Sequence, residues 1–67
     1  MGIKYSNHAR MQMVARGISE KDVKEGIQNG KKHTQYPDKI VSKYKYFSVV
    51  YKKREDDFYV ITVKPRW

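Results

Sequence analysis

His8 and Arg16 are the residues of this chain whose types and spacing best suit chemistry. An imidazole can take or give a proton near neutral pH, and a guanidinium offers a planar fork of donors that matches phosphate oxygens. Both lie in the stretch Ser6 to Ile18, which reads as one short helix that also carries Arg10. Their spacing of eight residues is a little over two helical turns, so they share roughly one face. Such a pair could do chemistry on phosphate, and were the substrate RNA the reaction would be attack of a ribose 2′-hydroxyl on the neighbouring phosphate. That reaction needs a base for the hydroxyl proton, cations for the charged phosphorane and an acid for the departing 5′ oxygen. His8 is the candidate base, because the dipole at a helix start favours the neutral imidazole a base must be. Lys64 and Lys52 are candidates to share the phosphate charge with Arg16. The plainer alternatives are that His8 caps or packs the helix and that Arg16 only answers the dipole at its other end.

The elements that would position these groups follow from local signals. Met1 to Tyr5 is a short lead-in strand. Ser6 is the N-cap of the first helix, and Gly17 its left-handed stop. Ala9 and Met13 supply the buried stripe, with Met11 and Val14 as further candidates. The second helix opens at Ser19, with Asp22 three residues on and Ile18 and Val23 in the two staple positions. Ile27 continues its buried face, and Asn29-Gly30 ends it. Gly26 inside this helix costs about 1 kcal/mol against alanine, which points to close packing there.

Beyond Gly30 the pattern changes to strands. Lys31 to Tyr36 and Lys39 to Tyr44 are weak candidates separated by Pro37-Asp38. Tyr46 to Lys53 and Phe58 to Lys64 are rich in Val, Ile, Tyr and Phe and read as a hairpin, with Pro65 ending the last strand. A three-residue loop from Glu55 to Asp57 would put Phe47, Val49 and Tyr51 on one apolar face with Tyr59, Ile61 and Val63. The opposite face would show Tyr44, Tyr46, Ser48 and Lys52 beside Thr62 and Lys64. A slip of one residue would mix the sets. The exposed face is then basic, hydroxylated and aromatic, as a platform for single-stranded RNA should be. Lys53 and Arg54 near the hairpin turn and Arg66 near the C-terminus extend the candidate nucleic-acid contacts, while His33 reads as exposed.

With 67 residues the chain is expected to be one small domain, 1–67, burying only about 60% of its unfolded surface. It has no cysteine, which excludes disulfides and a thiolate zinc site. Two histidines and seven acidic residues leave little from which to build a metal site, so neither metal nor cofactor is expected. No apolar run reaches the length of a signal peptide or membrane span, so no membrane partner is expected and a cytoplasmic location is the default. Fifteen Lys and Arg against seven Asp and Glu give a formal net charge of +8, which favours a polyanionic partner.

Two helices followed by three or four antiparallel strands in a small basic domain resemble the RelE-type ribonuclease fold. More specifically, His8-Ala9, Arg16-Gly17-Ile18-Ser19 and Val23 resemble the opening motif of an uncharacterised bacterial and phage domain family. Tyr36-Pro37 resembles its middle and Val60-Ile61-Thr62-Val63-Lys64-Pro65 its final strand. That family has been grouped with RelE-like, barnase-like and colicin-like RNA-cleaving toxins. Its members often carry an aromatic residue where this chain has Lys64. The resemblance implies an α+β fold, two N-terminal helices on one face of a three- to four-stranded antiparallel sheet. It also implies a metal-independent endoribonuclease with an acidic antitoxin as partner.

The expected function is therefore RNA cleavage with His8, Arg16 and Lys64 as catalytic groups. Tyr44, Tyr46, Lys52, Lys53, Arg54 and Arg66 would hold the nucleic acid. The rivals are a non-catalytic RNA- or DNA-binding module and a protein-interaction domain for an acidic partner. One geometric tension stands between them. If both helices cover the apolar face, His8 must reach round a sheet edge to meet Lys52 and Lys64.

Overall fold

Ser6 decides where the first helix begins. In the computed structural model, which describes residues 2–35 and 37–65, the chain leaves strand β1 (Ile3–Tyr5) and the Ser6 hydroxyl accepts from the Ala9 amide at 2.9 Å. This satisfies one of the amides that a helix start leaves open. Helix α1 (Asn7–Arg16) stops at Gly17, whose φ of 67° is the left-handed conformation that glycine adopts without a Cβ clash. Ser19 opens α2 (Glu20–Asn29) with a full capping box. Its hydroxyl accepts from the Asp22 amide and the Asp22 carboxylate accepts from the Ser19 amide, each at 3.0 Å.

Four further strands follow: β2 (Lys31–Gln35), β3 (Lys39–Tyr44), β4 (Phe47–Arg54) and β5 (Asp57–Pro65). Together with β1 they form one sheet in the order β1-β5-β4-β3-β2. The α+β class holds, but the sheet has five strands and is mixed, not three- to four-stranded and antiparallel. Strands β2 to β5 pair antiparallel, while β1 runs parallel to β5 along Phe58 to Val60. The reason is tertiary: β1 is three residues long and exists because β5 offers it an edge. The Phe58 amide donates to the Gly2 carbonyl and the Ser6 amide to the Val60 carbonyl, both at 2.9 Å.

The β4–β5 hairpin closes more tightly than its sequence implies. Arg54 faces Asp57 across a two-residue turn, not a three-residue one, and a bulge between Val50 and Tyr51 then restores the outer register. Val49 meets Val63 and Val50 meets Thr62, as expected, whereas Tyr51 meets Val60 and Ile61 is left without a cross-strand partner. Tyr59 consequently faces Lys52 on the opposite side of the sheet, where the expected register had it in the core.

The core lies between the helices and one sheet face. Ala9, Met13, Ile18, Val23 and Ile27 cover Phe47, Val49, Tyr51, Val60 and Val63. Met11 and Val14 do not join them and are 69% and 84% exposed, since they lie round the far side of α1 from Ala9 and Met13. Gly26 lets α2 lie low on the sheet: a Cβ there would stand 3.3 Å from the Phe47 ring and 3.5 Å from Tyr44 and Val49. The buried Ser42 hydroxyl donates to the Gly26 carbonyl at 2.5 Å and ties β3 to the same helix. Among the described residues no helix is long and apolar enough to cross a membrane.

Candidate nucleic-acid interface

Both helices pack on one sheet face, and no described helix covers the other, the open face, where the strand registers determine which side chains stand together. Directly opposed residues share a face. Lys31 opposes Lys43, Lys43 opposes Ser48, and Ser48 opposes Lys64. This row crosses four strands and spans about 14 Å at the usual strand spacing. His33, Val41, Val50 and Thr62 form the next row, and Lys52, Tyr59 and Lys4 form part of a third. Val41, Ser48 and Val50 are buried although no helix lies over them. Their neighbours at two residues' distance along the strands include Lys39, Lys43 and Lys52, whose aliphatic stems can cover apolar floor while the charged ends stay in water.

Lys64 and Lys52 thus lie on the open face, as expected, and Lys64 is exposed. Lys52 is half-buried, with Nζ 3.5 Å from an Asp38 carboxylate oxygen, so part of its charge is already answered. Arg54 joins Lys4, Asp57, Phe58 and Tyr59 around a shallow hollow of about 390 Å³ at the hairpin end. Lys53 opposes Phe58 and therefore belongs to the helix-side face. Tyr44 corrects the expectation outright: it opposes Phe47 and packs against the core, because the two-residue turn at Lys45-Tyr46 keeps both on one face. Tyr46 sits in that turn and is 51% exposed. Arg66 and Tyr36 lie outside the described residues.

Sequence reasoning missed Lys31, Lys43, Lys4 and Tyr59 on the open face. The alternation of Lys39, Val41 and Lys43 carried the signal for β3. Lys31 depended on a register that two weak strands do not announce, and Tyr59 on a bulge.

His8 belongs to a different surface. The Ser6 hydroxyl, besides capping α1, donates to the Ile61 carbonyl at 2.6 Å, which places the helix start at the β5 bulge. At the other end Ala15 and Arg16 share a hollow with Ile18, Tyr46, Phe47 and Pro65. Helix α1 therefore runs beside β5 from Ile61 to Pro65, beyond the point where β1 stops. His8, Gln12 and Arg16, spaced four residues apart, make one row along it. The Gln12 amide oxygen accepts from Arg16 Nε at 3.1 Å and orients the guanidinium. On another side of α1, Arg10 lies over the Tyr5 ring, 5.3 Å from its centroid. Burial, and after it the charge of Glu20, pushes the Tyr5 phenol above its usual range, against a smaller opposing effect of Arg10.

The arrangement offers two surfaces on either side of β5: the lysine row of the open face, ending at Lys64, and the His8–Gln12–Arg16 row of α1, whose charge is the Arg16 guanidinium. Neither the curated proteins nor the solved structures include a match to this chain. A family model matches residues 5–64, which take in β1's last residue, both helices and nearly all of the sheet. The chain belongs to that family, a domain of unknown function (DUF4258).

Proposed function

We propose that this protein binds single-stranded RNA across the open face of its sheet. The observation that carries the reading is the row Lys31–Lys43–Ser48–Lys64, on a chain of net charge +8. A sheet face with exposed cations and the Tyr59 ring suits unstacked nucleotides better than a duplex, which side chains read through its grooves. Binding should be tested by fluorescence anisotropy with a labelled eight-nucleotide RNA at several salt concentrations, its DNA counterpart alongside. The affinity should fall steeply with salt, and Lys43→Gln should reduce the slope by about one. Affinity that ignores salt and Lys43 would refute the platform, and equal or tighter binding of DNA would reassign it.

A second reading has its own observation, the His8–Gln12–Arg16 row beside the β5 edge. On it the protein is a RelE-type, metal-independent ribonuclease. His8 takes the 2′-hydroxyl proton as that oxygen bonds to phosphorus, and Arg16 and Lys64 stabilise the phosphorane from either side of the edge. The P–O5′ bond breaks with solvent protonating the departing 5′ oxygen, and an acidic antitoxin covers the cations. Wild-type protein incubated with RNA in chelator should then yield fragments with cyclic-phosphate ends. His8→Ala should abolish them with little loss of affinity. Intact RNA with wild-type protein would remove the catalytic reading and leave the platform standing.

A further inference from the structure

We infer that the hollow between the end of α1 and the end of β5 takes one unstacked nucleobase, with the adjoining phosphate on Arg16. This inference rests on the reading that RNA lies across the open face.

The hollow measures about 260 Å³ and is lined by Ala15, Arg16, Ile18, Tyr46, Phe47 and Pro65. That is slightly under the roughly 300 Å³ at which sites for drug-sized ligands begin, so it suits a single ring system. Its floor is apolar: Ile18 and Phe47 are buried core residues. Tyr46 packs on Phe47 edge to face, with centroids 5.5 Å apart and planes at 72°, and remains half exposed at the rim. Among the described residues of the lining, Arg16 is the one that carries a charge. An apolar floor, a proline, an exposed aromatic ring and one oriented guanidinium together match a planar heterocycle joined to an anion. That is the chemistry of a nucleotide.

Position gives the second part of the argument. Pro65 lines the hollow, and its predecessor Lys64 ends the lysine row on the other face. Strand β1 pairs with β5 only along Phe58 to Val60, so among the described residues Thr62 to Pro65 has no strand paired to it on that side, where the end of α1 stands instead. A strand that crosses the open face along Lys31, Lys43 and Lys64 reaches this edge and can fold over it into the hollow. The bound RNA would therefore run across the β-strands, not along them.

The test combines affinity with placement. A labelled eight-nucleotide RNA is titrated by anisotropy against wild type, Tyr46→Ala and Tyr46→Phe, with folding of each verified by circular dichroism. The same RNA carrying 5-iodouridine is photocrosslinked to wild type, and the attached residue is found by mass spectrometry. Loss of one stacked base should weaken Tyr46→Ala by about 5-fold to 100-fold, the range typical of single stacking contacts. Tyr46→Phe, which keeps the ring, should bind like wild type, and Tyr46 should carry a crosslink. Wild-type affinity in Tyr46→Ala, with crosslinks on Tyr59 alone, would overturn the hollow and spare the platform. Absence of RNA binding by wild type would overturn both. Should Tyr46→Ala fail to fold, the wild-type crosslink decides.

Discussion

Asp22 shows how much one side chain can organise. Its carboxyl is held below the usual aspartate range, chiefly by the Ser19 amide and next by the Ser19 hydroxyl. Desolvation opposes these two hydrogen bonds, and Lys45 and then Lys21 add attractions weaker than it. A carboxyl with a lowered folded-state pKa adds stability above its unfolded pKa and loses that contribution as pH falls through the folded value. Wild type should therefore lose stability below about pH 4, the ordinary aspartate range, and Asp22→Asn should lose less. Urea midpoints at pH 6 and pH 3 measure this, and equal acid losses in both proteins would contradict it. Caps of this kind were legible because they are local. Ser6, Ser19, Asp22 and Gly17 each announce themselves within four residues, and Gly26 announced close packing through its cost in a helix. Tyr44 was not legible, since its face depends on a turn whose first central residue, Lys45, adopts a φ of 52°, a conformation that lysine sequence does not signal.

Among the elements, α1 has the most exacting placement. Ser6 caps it at the Ala9 amide and also donates to the Ile61 carbonyl, so one hydroxyl fixes both the helix start and its seat on β5. Ser6→Ala should cost about 1–2 kcal/mol, the upper range for losing an N-cap, because a strand carbonyl loses its donor as well. Chemical denaturation checks this, and a change within about 0.3 kcal/mol would show that the hydroxyl does neither job. The helices and the β4–β5 hairpin were readable from period and turn chemistry. Strand β1 was foreseen as a lead-in, but its parallel pairing was not, because three residues carry no periodicity. The bulge at Val50/Tyr51 was likewise hidden. A two-residue turn followed by a bulge returns Phe47 to Val50 to the same register that a three-residue loop would give. Only the inner half of the hairpin, and with it Tyr59, betrays the difference.

At the scale of the whole molecule, the fold separates burial from charge. Two helices occupy one sheet face and supply the apolar cover, which leaves lysines from all five strands to gather on the other. Composition announced the excess of charge but not where it would collect. Lys31, Lys43 and Lys64 are far apart in sequence and become one row only through two strand registers and a hairpin. The tension over His8 takes a definite form in this fold. His8 stands on the helix layer, beside the β5 edge, with the basic face round the other side of that edge. The proposed binding and the proposed cleavage would therefore fall on separate surfaces. The most direct test of the central claim is a titration of isotope-labelled protein with an eight-nucleotide single-stranded RNA, followed residue by residue by amide chemical shifts. The account predicts shifts concentrated at Lys31, His33, Lys43, Ser48, Val50 and Lys64. Shifts confined to α2 and the helix-side face, or none at all, would contradict it.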